Sequence, residues 1–201
     1  MSVLQTIHYV TAAAALLLAG AVAYVSFNPR GADQQSIVAI EIGGPFELAS
    51  SHGGTVKSSD LAGKPYGVFF GFTHCPEVCP TTLYEMSETL KAVGDDAKDF
   101  RVFFITVDPE RDTAEKLKDY LSNFDPRIEA LVPTPAQLPD IAKAFRAIYE
   151  KVPTSDGEYT MNHTATLYLF GRNGRFKSTI AYGEEQANRE KKIKSLLSEG
   201  S

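Results

Sequence analysis

Apolar residues in this chain fall into short blocks whose spacing switches between two periods. Tyr66 to Phe72, YGVFFGF, and Arg101 to Val107, RVFFITV, are nearly unbroken, the pattern of strands buried on both faces. Between them, Thr81 to Val93 has helical spacing, with Leu83, Met86 and Leu90 on one side and Gly94 where a helix would stop. The alternation continues downstream. Asp112 with Glu115 makes a capping-box pattern that opens a helix reaching about Asn123. Ile128 to Val132 reads as a short strand, Pro135 to Tyr149 as a helix and Thr164 to Phe170 as a strand. Ahead of these, Phe46 to Val56 reads as a hairpin turning at His52-Gly53-Gly54, and Asp60 to Pro65 as a loop. Behind them, Arg172-Asn173-Gly174 turns the chain into a strand from Phe176 to Tyr182, and Glu184 to Ser198 closes as a polar helix. Strands alternating with helices of this length predict the α/β class. The expected sheet is largely parallel, covered on both faces and finished by an antiparallel hairpin, in the order of a thioredoxin-like sandwich.

The front of the chain follows a different rule. Val10 to Phe27, VTAAAALLLAGAVAYVSF, has no charge and no proline, and reaches the roughly 17 to 25 residues that a membrane-spanning helix needs. A polar stretch, NPRGADQQS, follows it. We therefore expect a membrane anchor with its flank over residues 1–30, a linker over 31–45 and a folded domain over 46–201. Ala21-Val22-Ala23 offers the alternative of a cleaved secretory signal, since its small-x-small pattern suits a peptidase. No Lys or Arg precedes Arg30, so the positive-inside rule sets no orientation. The same absence argues against an Arg-rich mitochondrial transit peptide and favours a bacterial inner membrane. The 201 residues are 43% hydrophobic and 22% charged, as in ordinary globular chains, and the net charge of −5 excludes nucleic acid as a partner.

Candidate chemistry centres on FFGFTHCPEVCPTTL, which holds the chain's two cysteines, Cys75 and Cys79. They lie where a buried strand runs into a helix, the edge at which open α/β sheets place ligands. Pro80 suits a first helical position, which makes Cys79 the expected N-cap and leaves Cys75 in the loop before it. Both sulfurs would then face a helix N-terminus, which favours the thiolate. The spacing admits two roles. Three intervening residues loosen the ring that a disulfide of about 2.05 Å must close, whereas metal–sulfur bonds of about 2.3 Å let two thiolates stay about 4 Å apart. The pattern leans to chelation and permits a redox couple, in which case Cys75 and Cys79 would be catalytic.

Two thiolates need a third ligand. Of the four histidines, His8 flanks the apolar segment and His52 sits in a Gly-rich turn. His74 adjoins Cys75, and neighbouring side chains in extended backbone point apart. His163, in NHTATLYLF, precedes a strand expected at the sheet centre, so its loop would face the cysteine loop across the cleft. Thioredoxins keep a proline there to receive extended substrates; Asn162-His163-Thr164 has none. Asp108, before Pro109, is a candidate for steering a partner or tuning the site, and Asp95, Asp96 and Asp99 read as a solvated turn.

CPEVCP, TVDPERDT at Thr106 to Thr113 and the histidine of EYTMNHTATLYLFGRNG, in that order, resemble the Sco/SenC copper chaperones over essentially the whole chain. The resemblance implies a thioredoxin-like domain outside the cytoplasm, here in the periplasm. It further implies one copper ion per chain, held by Cys75, Cys79 and His163 and delivered to subunit II of cytochrome c oxidase. Other periplasmic copper or thiol-redox proteins are implied as further partners, and reduction of the acceptor's cysteines as an accompanying activity. The family carries an aspartate just before the histidine, where this chain has Asn162. Two thiolates and an imidazole suit Cu(I), while zinc would take a fourth ligand. Three classes thus stand side by side: a copper chaperone, a thiol-disulfide oxidoreductase and a peroxiredoxin-like peroxidase. The last fits least, because its lone reactive cysteine is here one of a proline-flanked pair.

Overall fold

The two unbroken apolar blocks pair in parallel at the middle of a seven-stranded sheet. The computed structural model describes residues 3–27 and 41–199, the first segment with side chains at 11 and 13–24. Among the described residues the strands are β1 (Glu47–Ser50), β2 (Thr55–Lys57), β3 (Tyr66–Gly71), β4 (Arg101–Thr106), β5 (Ile128–Val132), β6 (Tyr149–Pro153), β7 (Tyr159–His163), β8 (Leu167–Phe170) and β9 (Phe176–Ile180). The helices are α1 (Val3–Phe27), α2 (Val78–Val93), α3 (Ala114–Leu121), α4 (Leu138–Phe145) and α5 (Gln186–Ser198). The main sheet runs β2-β1-β5-β4-β3-β8-β9, and β6 pairs with β7 in a separate two-stranded sheet.

The chain divides after Ile40 into two units. The first contributes α1, so the apolar run does form a helix. Among the described residues, no helix is long and apolar enough to cross a membrane. Most of the expected linker, residues 31–40, lies outside the described residues. Glu41 to Pro45 belong to the second unit, where the Gly43 N–H donates to the Ala144 carbonyl at 2.9 Å.

The second unit is a thioredoxin-like α/β sandwich whose sheet is mixed rather than largely parallel. Only β3/β4 and β4/β5 pair in parallel; β1/β2, β1/β5, β3/β8 and β8/β9 are antiparallel. Every residue of β3 is buried, and Phe69, Phe70, Phe103 and Phe104 form the middle of the core. Helix α2 lays Leu83, Met86 and Leu90 on the sheet and stops at Gly94, whose φ of 70° admits glycine without strain.

Three expectations need correction. Helix α2 begins at Val78 with Glu77 as N-cap, so Cys79 lies inside the first turn and Pro80 is the third helical residue. Proline is tolerated there because its missing N–H is one of the donors a helix start leaves unpaired. The expected helix from Pro135 to Tyr149 ends at Phe145. Arg146 turns left-handed at φ 52°, the Ala147 N–H returns to the Ala142 carbonyl, and Tyr149 starts β6. The third concerns Asp112, which caps nothing. Thr113 caps α3 by accepting the Lys116 N–H. Asp112 is instead fully buried and accepts the Thr73 N–H at 3.1 Å, the Thr73 hydroxyl at 2.5 Å and the Thr106 hydroxyl at 2.7 Å.

Asp112→Ala would take the acceptor from the buried Thr106 hydroxyl and from two partly buried donors of Thr73, and each unsatisfied buried group costs about 1–3 kcal/mol. We expect urea denaturation of the metal-free protein to register a loss of at least about 2 kcal/mol for this variant. Glu115→Ala, at the other position of the apparent capping box, should stay within about 0.5 kcal/mol. Equal losses for the two would contradict the burial-based role of Asp112.

Candidate metal centre

The site forms where β3 ends. Gly71, its last residue, leaves room for sulfur: a Cβ there would lie 2.8 Å from Cys79 Sγ and 2.6 Å from the Phe104 ring. Any side chain at this position would push Cys79 off the strand end. Beyond Gly71 the chain crosses Phe72 to Glu77 before α2 begins, and the Thr73–Asp112 bonds fix the start of that loop. Cys75 Sγ then accepts the Cys79 N–H at 3.3 Å. A sulfur thus takes one of the unpaired donors at the start of the helix, which is the place of a capping oxygen.

The two cysteines have different surroundings. Cys79 is wholly buried, whereas Cys75 is partly exposed at the helix start. The Cys79 thiol donates toward Cys75, and together with the backbone N–H groups of Cys79 and Glu77 this holds the Cys75 thiol well below the usual cysteine range. The same interaction, added to burial, pushes the Cys79 thiol up. The outer sulfur is therefore the one that gives up its proton first, and the inner sulfur is the one that keeps it longer.

His163 completes the group. Its Nε2 is 3.4 Å from Cys79 Sγ, and its Nδ1 is 3.1 Å from the Thr164 carbonyl oxygen. A carbonyl only accepts, so this contact places the ring proton on Nδ1 and leaves the Nε2 lone pair aimed at the sulfurs. Phe69 and Phe72 meet the imidazole edge-on, at 78° and 84°. The donor atoms of Cys75, Cys79 and His163 all lie within 4.8 Å of one another. Two soft sulfurs and one imidazole in that space fit a Cu(I) ion.

His163 is carried on an unexpected element. It ends β7, in the β6–β7 ribbon outside the main sheet, rather than lying in a loop before a central strand. The signal for this ribbon was Asp156-Gly157, an established hairpin dipeptide, with Gly157 at φ 88°. Asn162 pairs with Glu150 across the ribbon and is exposed, so strand alternation turns it away from the face that carries His163. His74 is exposed and bonds to the Thr73 hydroxyl at 3.1 Å, apart from the three-donor cluster. His52 lies 3.9 Å from Glu129, in the β1–β2 turn.

Asp108, the candidate for steering a partner or tuning the site, is buried. Its carboxylate takes the Arg111 Nε–H at 2.5 Å and the Tyr159 hydroxyl at 2.9 Å. Sequence reading missed the roles of Gly71, Arg111, Asp112 and Tyr159, all of which depend on partners distant in the chain.

A thioredoxin-like sandwich with two helix-start cysteines and a facing histidine defines a thiolate–imidazole metal-binding protein of that fold. The model of the SCO1/SenC family matches residues 34–198, and the chain belongs to that family. It is 38% identical over 139 residues to an SCO2-like protein of Rickettsia prowazekii, covering 68% of either chain. To the human mitochondrial SCO1 homolog it is 36% identical over 138 residues, 67% of this chain and 46% of that one. Among solved structures, Bradyrhizobium japonicum ScoI with copper bound aligns at a TM-score of 0.72 and 47% identity, covering 77% of this chain and 99% of that one. Yeast Sco1 with copper bound aligns at 0.73 and 28% identity, covering 80% and 91%.

The uneven protonation of the cysteines makes a chemical prediction. In reduced, metal-free protein, iodoacetamide at about pH 6 should label Cys75 and spare Cys79, because a free thiol of pKa about 8.5 is almost wholly protonated there. Replacing Cys79 with alanine removes the donated hydrogen bond and should slow Cys75 labelling at that pH. Peptide mapping by mass spectrometry reads both outcomes, and equal labelling of the two sulfurs would refute the assignment.

Proposed function

We propose that this protein is a copper metallochaperone that carries one ion per chain on Cys75, Cys79 and His163 and delivers it to the dinuclear copper site of cytochrome c oxidase subunit II. The observation that carries this reading is the convergence within 4.8 Å of three metal-donor atoms, two from the cysteine pair and one from a histidine 84 positions beyond Cys79. The copper held by the Bradyrhizobium japonicum and yeast relatives supports it. In this reading residues 1–30 anchor the protein in the bacterial inner membrane, 31–45 tether it, and 46–201 form the copper domain in the periplasm. Other periplasmic copper or thiol-redox proteins are further partners.

The residues divide the work. Cys75, already a thiolate and partly open to solvent, makes the first contact with arriving Cu(I). Cys79 must release its proton to become the second ligand, so capture frees about one proton per ion near neutral pH. His163 offers its Nε2 lone pair, the Nδ1 side being bonded to the Thr164 carbonyl. Transfer reverses the order, with an acceptor thiolate reaching the ion from the Cys75 side because Cys79 is sealed beneath the strand end.

We expect equilibrium dialysis and chelator competition to give one copper per reduced chain. Cys75→Ser, Cys79→Ser and His163→Ala should each weaken binding by at least about tenfold. In wild type the apparent Cu(I) affinity should rise about tenfold per pH unit above neutrality, since higher pH eases removal of the Cys79 proton. Full copper retention by His163→Ala would defeat the three-ligand site.

A second reading, thiol-disulfide oxidoreductase, draws on the Cys75 thiolate beside a protonated Cys79, the pairing of a nucleophile with a resolving thiol. The two readings differ in substrate range. With His163 rather than proline on the facing ribbon, an extended peptide finds no backbone edge to dock on. Insulin-disulfide reduction should therefore run far below a thioredoxin control, while copper transfer or thiol exchange with a subunit II fragment proceeds. Insulin turnover equal to thioredoxin would move the protein into the enzyme class.

A further inference from the structure

We infer that Arg111 is a positioning residue which holds the His163 ribbon against the cysteine loop, and so decides whether a bound ion has two ligands or three. The inference rests on the three-ligand reading above.

The ribbon is weakly founded by itself. It shares no strand ladder with the main sheet, and an isolated two-stranded hairpin is marginal in water. Alternation along β7 sends Tyr159, Met161 and His163 to one face. Met161 is buried, but beside it a cleft of about 230 Å³ opens between the ribbon and the domain, lined in part by Val107, Glu110, Leu138 and Tyr149. Apolar contacts at Met161 and at the His163 ring seat one end of the ribbon, and polar bonds at Tyr159 hold the other.

Arg111 makes most of those bonds. Its Nη1 donates to the Tyr159 carbonyl at 2.9 Å, and its guanidinium carbon lies 3.6 Å from the centre of the Tyr159 ring. Its Nε binds buried Asp108, which also accepts the Tyr159 hydroxyl, so that arginine, aspartate and tyrosine form a closed triangle. Lys151, paired with Glu110 at 2.8 Å, lies 3.9 Å from the same ring centre. Only a planar, forked cation can stack on the ring and bond to two partners at once.

Position in the chain gives the clamp its consequence. Asp112, the next residue, binds Thr73 at the start of the cysteine loop. One short segment thus holds the cysteine half of the site with Asp112 and the histidine half with Arg111. Tyr159 and His163 are four residues apart on one strand, about 13 Å, so a displacement at the clamp is carried along the ribbon to the imidazole.

The test is a double-mutant cycle with copper as the probe, on the full chain. Arg111→Ala should weaken copper binding about tenfold. Added to His163→Ala, it should weaken binding no further, because its effect passes through the imidazole. The nitrogen hyperfine coupling in the Cu(II) electron paramagnetic resonance spectrum should fade in Arg111→Ala. In the metal-free protein, amide exchange over 159–163 should quicken at least about tenfold, with β3 and β4 unchanged. Additive losses in the cycle, or retained nitrogen coupling with unchanged exchange, overturn the inference. Should Arg111→Ala fail to fold, Arg111→Lys and Tyr159→Phe are read by the same assays, and two variants with wild-type coupling and exchange overturn it equally. If wild type itself takes up no stoichiometric copper, the copper reading fails, and amide exchange alone still decides the role of Arg111.

Discussion

The buried carboxylate of Asp112 is the interaction on which the site depends. A carboxylate without solvent is costly unless its lone pairs are occupied, and here three neutral donors from two other segments occupy them. Thr106 ends β4 and Thr73 opens the loop after β3, so the acid fastens the carboxyl edges of two adjacent parallel strands at a fixed separation. Gly71 leaves the space under that edge, and Cys79 fills it. The geometry of the sulfurs is therefore set by a polar contact that touches neither of them.

Burial sorts the two cysteines into different roles despite their closeness. The outer sulfur is favoured as an anion by a thiol donor and backbone N–H groups; the inner one is shielded, which favours its protonated form. That asymmetry suits both soft-metal capture and attack on a disulfide, since both begin with one accessible thiolate and finish with a second sulfur. Metal chemistry is favoured by the third donor. His163 presents an unprotonated nitrogen to the inner sulfur, where a thioredoxin would present the backbone beside a proline to its substrate.

Much of this was legible in sequence, and the gaps share a cause. The apolar blocks at Tyr66 and Arg101 located β3 and β4 within a residue, because strands buried on both faces leave a pattern that local context cannot disguise. The cysteines and His163 stood out as chemistry without an alternative structural role. The β6–β7 ribbon did not stand out: it is short, polar on its outer face and marked only by a turn dipeptide. The apolar pattern runs past the end of helix α4 because an arginine, not a glycine, takes the left-handed position there. Asp112 and Glu115 matched a capping box by spacing alone, while the true partners of Asp112 lie up to 39 residues away. Local pattern reading recovers elements; it does not recover side chains whose role is to join elements far apart in the chain.

The separation of 84 residues between Cys79 and His163 bears on the order of events during folding. Two sulfurs four residues apart can meet as soon as the first turn of α2 forms, on the timescale of local helix formation. The imidazole arrives only after the chain has closed a long loop, which topology makes slow. A nascent chain that meets copper early can therefore offer only a loose dithiolate grip, from which the ion still escapes. Full retention coincides with completion of the fold, so metal held tightly is also a record that the whole domain has assembled.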